Sequence, residues 1–236
     1  MAGPIEALGH DTLDRLELRG DETVLDAGCG TGTVTERLLA RLPRGRVLAV
    51  DGSAAMVQQA RRRLGPAVEV RQGDLVDLTL EQPVDAILST ATFHWIPDHP
   101  RLFTRLRRAL VDGGRLVAQC GGEGNIATVR SAVESLAAKP PYQSHLGGWE
   151  GPWRFAGATE TEQLLAEAGF ARARCWLTLA PVTPEDPAQF LTTMILGAHL
   201  DRLPRELGDR FVANVLARLA VPVTIDYVRL NIDATA

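Results

Sequence analysis

A short apolar run, Val24-Leu25-Asp26-Ala27, leads straight into Gly28-Cys29-Gly30-Thr31-Gly32, and helical periodicity follows from Thr33. No other stretch constrains this chain as much. Alternate glycines permit positive φ, let a ligand approach the backbone, and expose the unpaired N–H groups of the next helix. A dinucleotide fingerprint, G-x-G-x-x-G, would need a glycine where Thr33 stands. The pattern is instead a G-x-G-x-G variant with an acid, Asp26, on the strand before it.

The surrounding residues alternate apolar runs with helix-spaced repeats. Val24–Leu25, Val47–Val50, Val68–Val70, Ala86–Leu88 and Leu116–Ala118 read as buried strands. Val34–Leu39, Ala54–Leu64 and Leu102–Val111 read as helices with arginines on their outer faces. Arg101, Arg105, Arg107 and Arg108 therefore form the solvated side of a crossover helix. This alternation predicts an α/β, doubly wound, mostly parallel sheet. Asp51 ends the second strand, where an acid is placed to accept hydrogen bonds from both ribose hydroxyls. Loop and acid together predict a nucleoside site.

The second half is less regular. Ala127–Ala138 and Thr159–Ala168 read as helices, the latter capped by Thr159 with Glu162 and closed by Gly169. Cys175–Leu179 reads as a strand, Phe190–Leu203 and Glu206–Ala220 as helices, and Val223–Ile232 as a terminal strand. The expected organisation is one domain over residues 1–236, with a cofactor-binding half at 20–120. Segments 125–157 and 184–221 are expected to form cap insertions on the substrate side.

Composition narrows the partners. The chain is 45% hydrophobic and 23% charged with a net charge of −4, which disfavours a phosphate-tracking nucleic-acid binder. No apolar run reaches the roughly 18 residues a membrane helix needs. Residues 1–20 carry Glu6, Asp11 and Asp14 and lack the apolar core of a signal peptide. Cys29, Cys120 and Cys175 lie far apart without metal-ligand spacing, which suits a reducing cytoplasm. A small-molecule partner, no nucleic acid, no membrane, no metal, and a monomer or homodimer are the expectations.

At these positions the chain resembles the class I S-adenosylmethionine-dependent methyltransferases. Val24–Gly32 is similar to their first motif, and Val50-Asp51-Gly52-Ser53 to their ribose-binding strand end. Gln72-Gly73-Asp74-Leu75 resembles the adenine-binding turn, and Leu110–Leu116 the turn into the fifth strand. Phe93-His94-Trp95-Ile96-Pro97-Asp98 resembles the trans-aconitate methyltransferase-like small-molecule group. The resemblance implies a seven-stranded Rossmann-like sheet with an antiparallel terminal strand. S-adenosylmethionine is the implied cofactor and S-adenosylhomocysteine its product. Gly28, Cys29 and Gly30 would face the methionine moiety, with Asp26 supporting the loop. Asp51 and Gly52 would bind the ribose, and Ser53 and Met56 would flank the adenine. Gly73, Asp74 and the Leu75 backbone would meet the adenine edge, while Ser89 and Thr90 would line the sulfonium end. Only 23 residues precede Val24, so a less complete closure from that side is expected.

Methyl transfer is an in-line displacement in which the enzyme positions the acceptor and excludes water. A carboxylate acceptor needs no base, whereas a phenol, alcohol or carbon acid does. His94 is the candidate base or orienting group. Phe93, His94, Trp95, Gln119, Glu123 and Asn125 follow the fourth and fifth strands at the edge where α/β sheets bind ligands. Trp149, Trp153 and Arg154 lie in the Gly/Pro-rich stretch and read as lid residues, with Arg154 a partner for an anionic acceptor. His10 and His99 read as surface residues. The expected activity is methylation of a small molecule on a carboxylate or hydroxyl oxygen. Carbon or nitrogen methylation, non-methylating chemistry on the same cofactor, and a nicotinamide-dependent oxidoreductase are the alternatives.

Overall fold

The computed structural model describes residues 11–236; Met1–His10, including Glu6 and His10, lie outside the described residues. Seven strands form one sheet: β1 (Thr23–Ala27), β2 (Arg46–Asp51), β3 (Glu69–Gln72), β4 (Val84–Thr90), β5 (Leu110–Gly121), β6 (Arg172–Leu179) and β7 (Val228–Thr235). Their order is β3-β2-β1-β4-β5-β7-β6. The first five pair in parallel, and β7 runs antiparallel to β5, with Leu116 opposite Ala234 and Gly121 opposite Arg229.

Side-chain alternation explains why this sheet is covered on both faces. Val24, Ala86, Leu88 and Val117 enter one core cluster with Leu38, Val57, Ala60 and Leu64. Leu25, Ala27, Ile87, Leu116 and Ala118 enter the other with Leu102, Phe103 and Leu106. Period-2 strands with both sets apolar are the signature of a sheet buried on two sides. Helices α1 (Thr33–Ala40), α2 (Ala54–Leu64) and α3 (His99–Ala109) connect the parallel strands, followed by α4 (Ala127–Ala137), α5 (Ala158–Glu167) and α6 (Arg205–Leu216). The Asp98 carboxylate accepts from Arg101 N–H at 3.0 Å and fixes the start of α3.

The described residues divide into two compact units. One contains the described part of Met1–Glu123 with Arg154–Thr178 and Arg229–Ala236, and the other contains Gly124–Trp153 and Leu179–Val228. In the second unit α4 packs with α6. Tyr142 meets Phe211 edge-on with ring centres 5.0 Å apart, and Asn214 Nδ2 donates to its hydroxyl at 2.8 Å.

Four local expectations are corrected. Thr159 and Glu162 form no capping box: α5 begins at Ala158 after Gly157, and Glu162 instead accepts from Cys175 N–H on β6 at 2.7 Å. The helix expected over Phe190–Leu203 is broken into Pro187–Phe190, a π-turn at Leu191–Ile195, and Gly197–Leu200. Asp186 and Pro187 start it early, and Leu196 separates the π-turn from the last helical turn. The terminal strand is Val228–Thr235 rather than 223–232, because its ladder with β5 sets the register. His99 is buried, and its Nε2 lies 3.0 Å from the Phe93 carbonyl.

Candidate active site

The glycine loop leaves β1 by folding back over β2. Gly28 and Cys29 N–H both donate to the Val50 carbonyl, at 2.8 and 3.0 Å. Gly28 has φ +87°, and a Cβ there would lie 2.1 Å from Thr92 Oγ1. Gly30 differs in kind: at φ +55° its Cβ position has no heavy atom within 4 Å. The first glycine serves close packing, and the second opens a cradle. Helix α1 starts at Thr33 after Gly32, which has no side chain to cap it, so its first N–H groups are available to a ligand.

Two carboxylates frame the loop. Asp51 Oδ2 accepts from Gly30 N–H at 2.9 Å and Oδ1 from Ser53 N–H at 2.8 Å, so loop and strand end are held as one piece. Asp26 is buried; its Oδ2 accepts from Thr35 Oγ1 at 2.6 Å, and its Oδ1 has no hydrogen-bond partner among the described residues. Burial pushes its pKa up to about 6, against the Thr35 hydrogen bond and with help from the Asp51 charge. Gly73 N–H donates to the Asp51 carbonyl at 3.1 Å, which brings the third-strand turn to the same edge. There Asp74 Oδ1 accepts from Val76 N–H at 3.1 Å and Gly52 is exposed, while the Leu75 side chain enters the core. Ser53 caps α2 by accepting from Met56 N–H at 3.4 Å. Open space at Gly30, an uncapped helix start and an unpartnered buried acid fit a ligand carrying both an amino-acid end and a nucleoside.

The chain after β4 is built around a strained turn. Ala91 has φ +55°, an uncommon value for a residue with a side chain, and its N–H donates to the Gln119 carbonyl at 2.7 Å. The turn Phe93–Trp95 is then anchored by Phe93, which packs edge-on to Phe103 with ring centres 5.9 Å apart. His94 is carried over the end of β5, where its Nδ1 accepts from Gly121 N–H at 3.2 Å. Its ring lies 5.1 Å from Trp95 and 5.9 Å from Phe155, the latter in a stacked arrangement. Arg154 N–H donates to the His94 carbonyl at 2.8 Å, and the Arg154 side chain pairs with Glu160.

His94 is not arranged as a base. Burial, then the Arg229 charge, then His99, lower its pKa to about 3. A backbone N–H can only donate, so Nδ1 is the acceptor and the neutral ring carries its proton on Nε2.

Several other expected residues have different tasks. Ser89 is buried, and its hydroxyl donates to the Ala27 carbonyl at 2.6 Å between strands; Thr90 beside it is only partly buried. Phe93 is core. Gln119 Nε2 donates to Asn231 Oδ1 at 2.9 Å and ties β5 to β7. Asn125 Oδ1 accepts from Val228 N–H at 2.9 Å within the second unit. The three polar side chains among them, Ser89, Gln119 and Asn125, are committed because a buried polar group without a partner is costly. Glu123 is exposed, with its N–H on the Ala156 carbonyl at 2.9 Å. Trp149 and Trp153 lie in the second unit against His199, at 4.9 and 5.2 Å. Cys29 is buried, and burial pushes its thiol up to about 12. Sequence reasoning missed Thr92, whose hydroxyl donates to the Gly28 carbonyl at 3.2 Å, together with Phe155 and Arg229.

Comparison with known proteins places this geometry. Residues 24–114 match a family model described as a methyltransferase domain. A trans-aconitate 2-methyltransferase of Mycobacterium sp. (strain KMS) is 34% identical over 225 residues, 92% of this chain and 86% of that protein. One from Methylobacterium nodulans is 35% identical over 173 residues, which are 73% of this chain and 62% of that longer relative. The fold is shared with phosphoethanolamine N-methyltransferase 2 of Haemonchus contortus, solved with phosphomonomethylethanolamine and S-adenosylhomocysteine. That match has a TM-score of 0.62 and 19% identity, covering 98% of this chain and 52% of that one. The glycine cradle, the acid ending β2 and the similarity over nearly the whole chain have one explanation: this chain belongs to the class I S-adenosylmethionine-dependent methyltransferases, in the group of the trans-aconitate methyltransferases.

Proposed function

We propose that this enzyme methylates a carboxylate oxygen of a small polycarboxylic acid, with trans-aconitate as the first acceptor to test. The names of its relatives support that acceptor class. The observation that carries the reading is His94, a neutral donor at the carboxyl edge of the sheet with its pKa lowered to about 3. A carboxylate is ionised above about pH 5 and needs no proton removed, so a donor suffices to orient it.

In this reading Asp51 takes the ribose hydroxyls, with Gly52 beside it. The backbone of Gly28, Cys29 and Gly30 and the start of α1 hold the methionine end, and the partnerless Asp26 Oδ1 faces its positive charge. Met56, Gly73, Asp74 and the Leu75 backbone flank the adenine, and Thr90 borders the sulfonium end. S-adenosylmethionine supplies an electrophilic methyl group. Trp95, His94 and Arg154 border the acceptor, which they orient while excluding water. Trp149 and Trp153 belong to the proposed cap. The enzyme acts in the cytoplasm as a monomer or homodimer, and its net charge of −4 supports a reading without a nucleic-acid partner. No helix among the described residues is long and apolar enough to cross a membrane.

The test is incubation of the full chain with S-adenosylmethionine and trans-aconitate. The expected product is a monomethyl ester, with turnover at saturating S-adenosylmethionine flat between about pH 6 and 9, because the acceptor loses no proton and the raised pKa of Asp26 then bears on cofactor affinity alone. No ester from any carboxylic acid offered, or a rate that climbs through about pH 6.5 as a free imidazole would dictate, overturns the reading.

A further inference from the structure

We propose that Arg229 and His94 together form the recognition site for the acceptor carboxylate, Arg229 supplying the charge and His94 Nε2–H a directed hydrogen bond. The inference rests on the carboxylate reading above and names the residues that would select for it.

Three observations bring the two side chains together. Gly121 N–H donates to His94 Nδ1 on one side, and Gly121 is the ladder partner of Arg229 on the other. Directly opposed residues in an antiparallel pair project to the same face, and Gly121 contributes no side chain there. Both side chains are withdrawn from water, Arg229 at 6% and His94 at 8% exposure. The guanidinium charge is also felt by both neighbours on this edge, lowering the pKa of His94 and opposing the burial of Cys120.

A guanidinium cannot shed its proton, so burial does not neutralise Arg229 as it neutralises His94. A fixed cation beside a neutral N–H donor is complementary to a two-oxygen anion. Charge-assisted hydrogen bonds of this kind are the strong ones. The cofactor sulfonium is also positive, so an anionic acceptor is drawn by both cations, and a neutral alcohol or amine by neither. Discrimination then comes from the charge-assisted hydrogen bonds that a wrong acceptor does not make. Neither residue stands out in the sequence as a pair, since 135 positions separate them.

The test uses the full chain loaded with S-adenosylhomocysteine, with trans-aconitate as the probe and its trimethyl ester as the uncharged control. In Arg229→Gln, trans-aconitate affinity should fall on the order of 10–100-fold while S-adenosylhomocysteine affinity and binding of the ester stay within about 2-fold. Arg229→Lys should recover part of the loss. His94→Phe keeps a ring between Trp95 and Phe155, loses the N–H, and should weaken trans-aconitate alone. Unchanged trans-aconitate affinity in Arg229→Gln overturns the proposal; if that variant does not fold, unchanged affinity in His94→Phe overturns it. Failure of trans-aconitate to bind the wild type also overturns it. Arg229-dependent binding without methyl transfer would keep this site and sink the proposed function. Methyl transfer with Arg229-independent binding would do the reverse.

Discussion

Gly28 and Gly30 sit two residues apart with positive φ, yet their surroundings assign them opposite sensitivities. A methyl group at Gly28 would meet Thr92 Oγ1 at 2.1 Å, whereas one at Gly30 would meet nothing within 4 Å. Gly28→Ala should therefore destabilise the protein by more than the roughly 1 kcal/mol of backbone strain alone. Gly30→Ala should cost only about that strain while filling the cradle and weakening S-adenosylhomocysteine by on the order of 10-fold or more. Paired melting and binding measurements on both variants check this, and equal losses of stability would sink the distinction. Both glycines were legible in the sequence as a loop, but their separate tasks were not, because Thr92 is 64 residues away in the chain. The same holds for His94. Its place after the fourth strand suggested a pocket residue, but that Gly121 N–H occupies its Nδ1 is seen only in the structure. Ser89, Gln119 and Asn125 were chosen as polar residues at a strand end; long-range backbone and side-chain partners consume them.

At the scale of the element, α3 shows how far periodicity carries. Leu102, Phe103 and Leu106 are fully buried in one core cluster, while Arg101 and Arg107 pair with Asp77 and Asp112 on the outer face. Leu106→Ala should cost about 2–5 kcal/mol, and Arg108→Ala should stay within about 0.5 kcal/mol. Chemical denaturation of the two variants tests the assignment, and a comparable loss from both would refute it. Elements of the parallel half were legible because each carries its own apolar face and terminating residues. In the second half the signals compete. Phe190–Leu203 has helical spacing, but the helix starts earlier at Pro187, passes into a π-turn at Leu191–Ile195 and breaks at Leu196. Alternation in Val223–Ile232 pointed to a strand but left its register to pairing with β5. Arg229 and Asn231 alternate there with Leu230 and Ile232, which reads as a solvated face. Both are buried, because neighbouring elements cover that face too.

For the whole molecule, the cofactor site draws on β1, β2, β3 and β4, so occupancy should stabilise the sheet as a unit. S-adenosylhomocysteine at about 100 times its dissociation constant should add about 2.7 kcal/mol, a melting shift of roughly 5–10 °C for a chain of this size. NAD at the same concentration should leave the melting temperature unchanged. A shift with NAD and none with S-adenosylhomocysteine would contradict the cofactor. The strand order β3-β2-β1-β4-β5-β7-β6 is what lets four strand ends share one ligand.

The sequence by itself determined the α/β class, the glycine loop, the acid that ends β2 and the resemblance to the methyltransferases. Each is a local consequence of backbone freedom, helix ends and side-chain period. Only the tertiary structure decided which glycine opens the cradle, which polar residues are consumed by packing, and that Gly121 N–H occupies His94 Nδ1. Those outcomes depend on partners distant in the chain and on removal from water, neither of which a local pattern encodes.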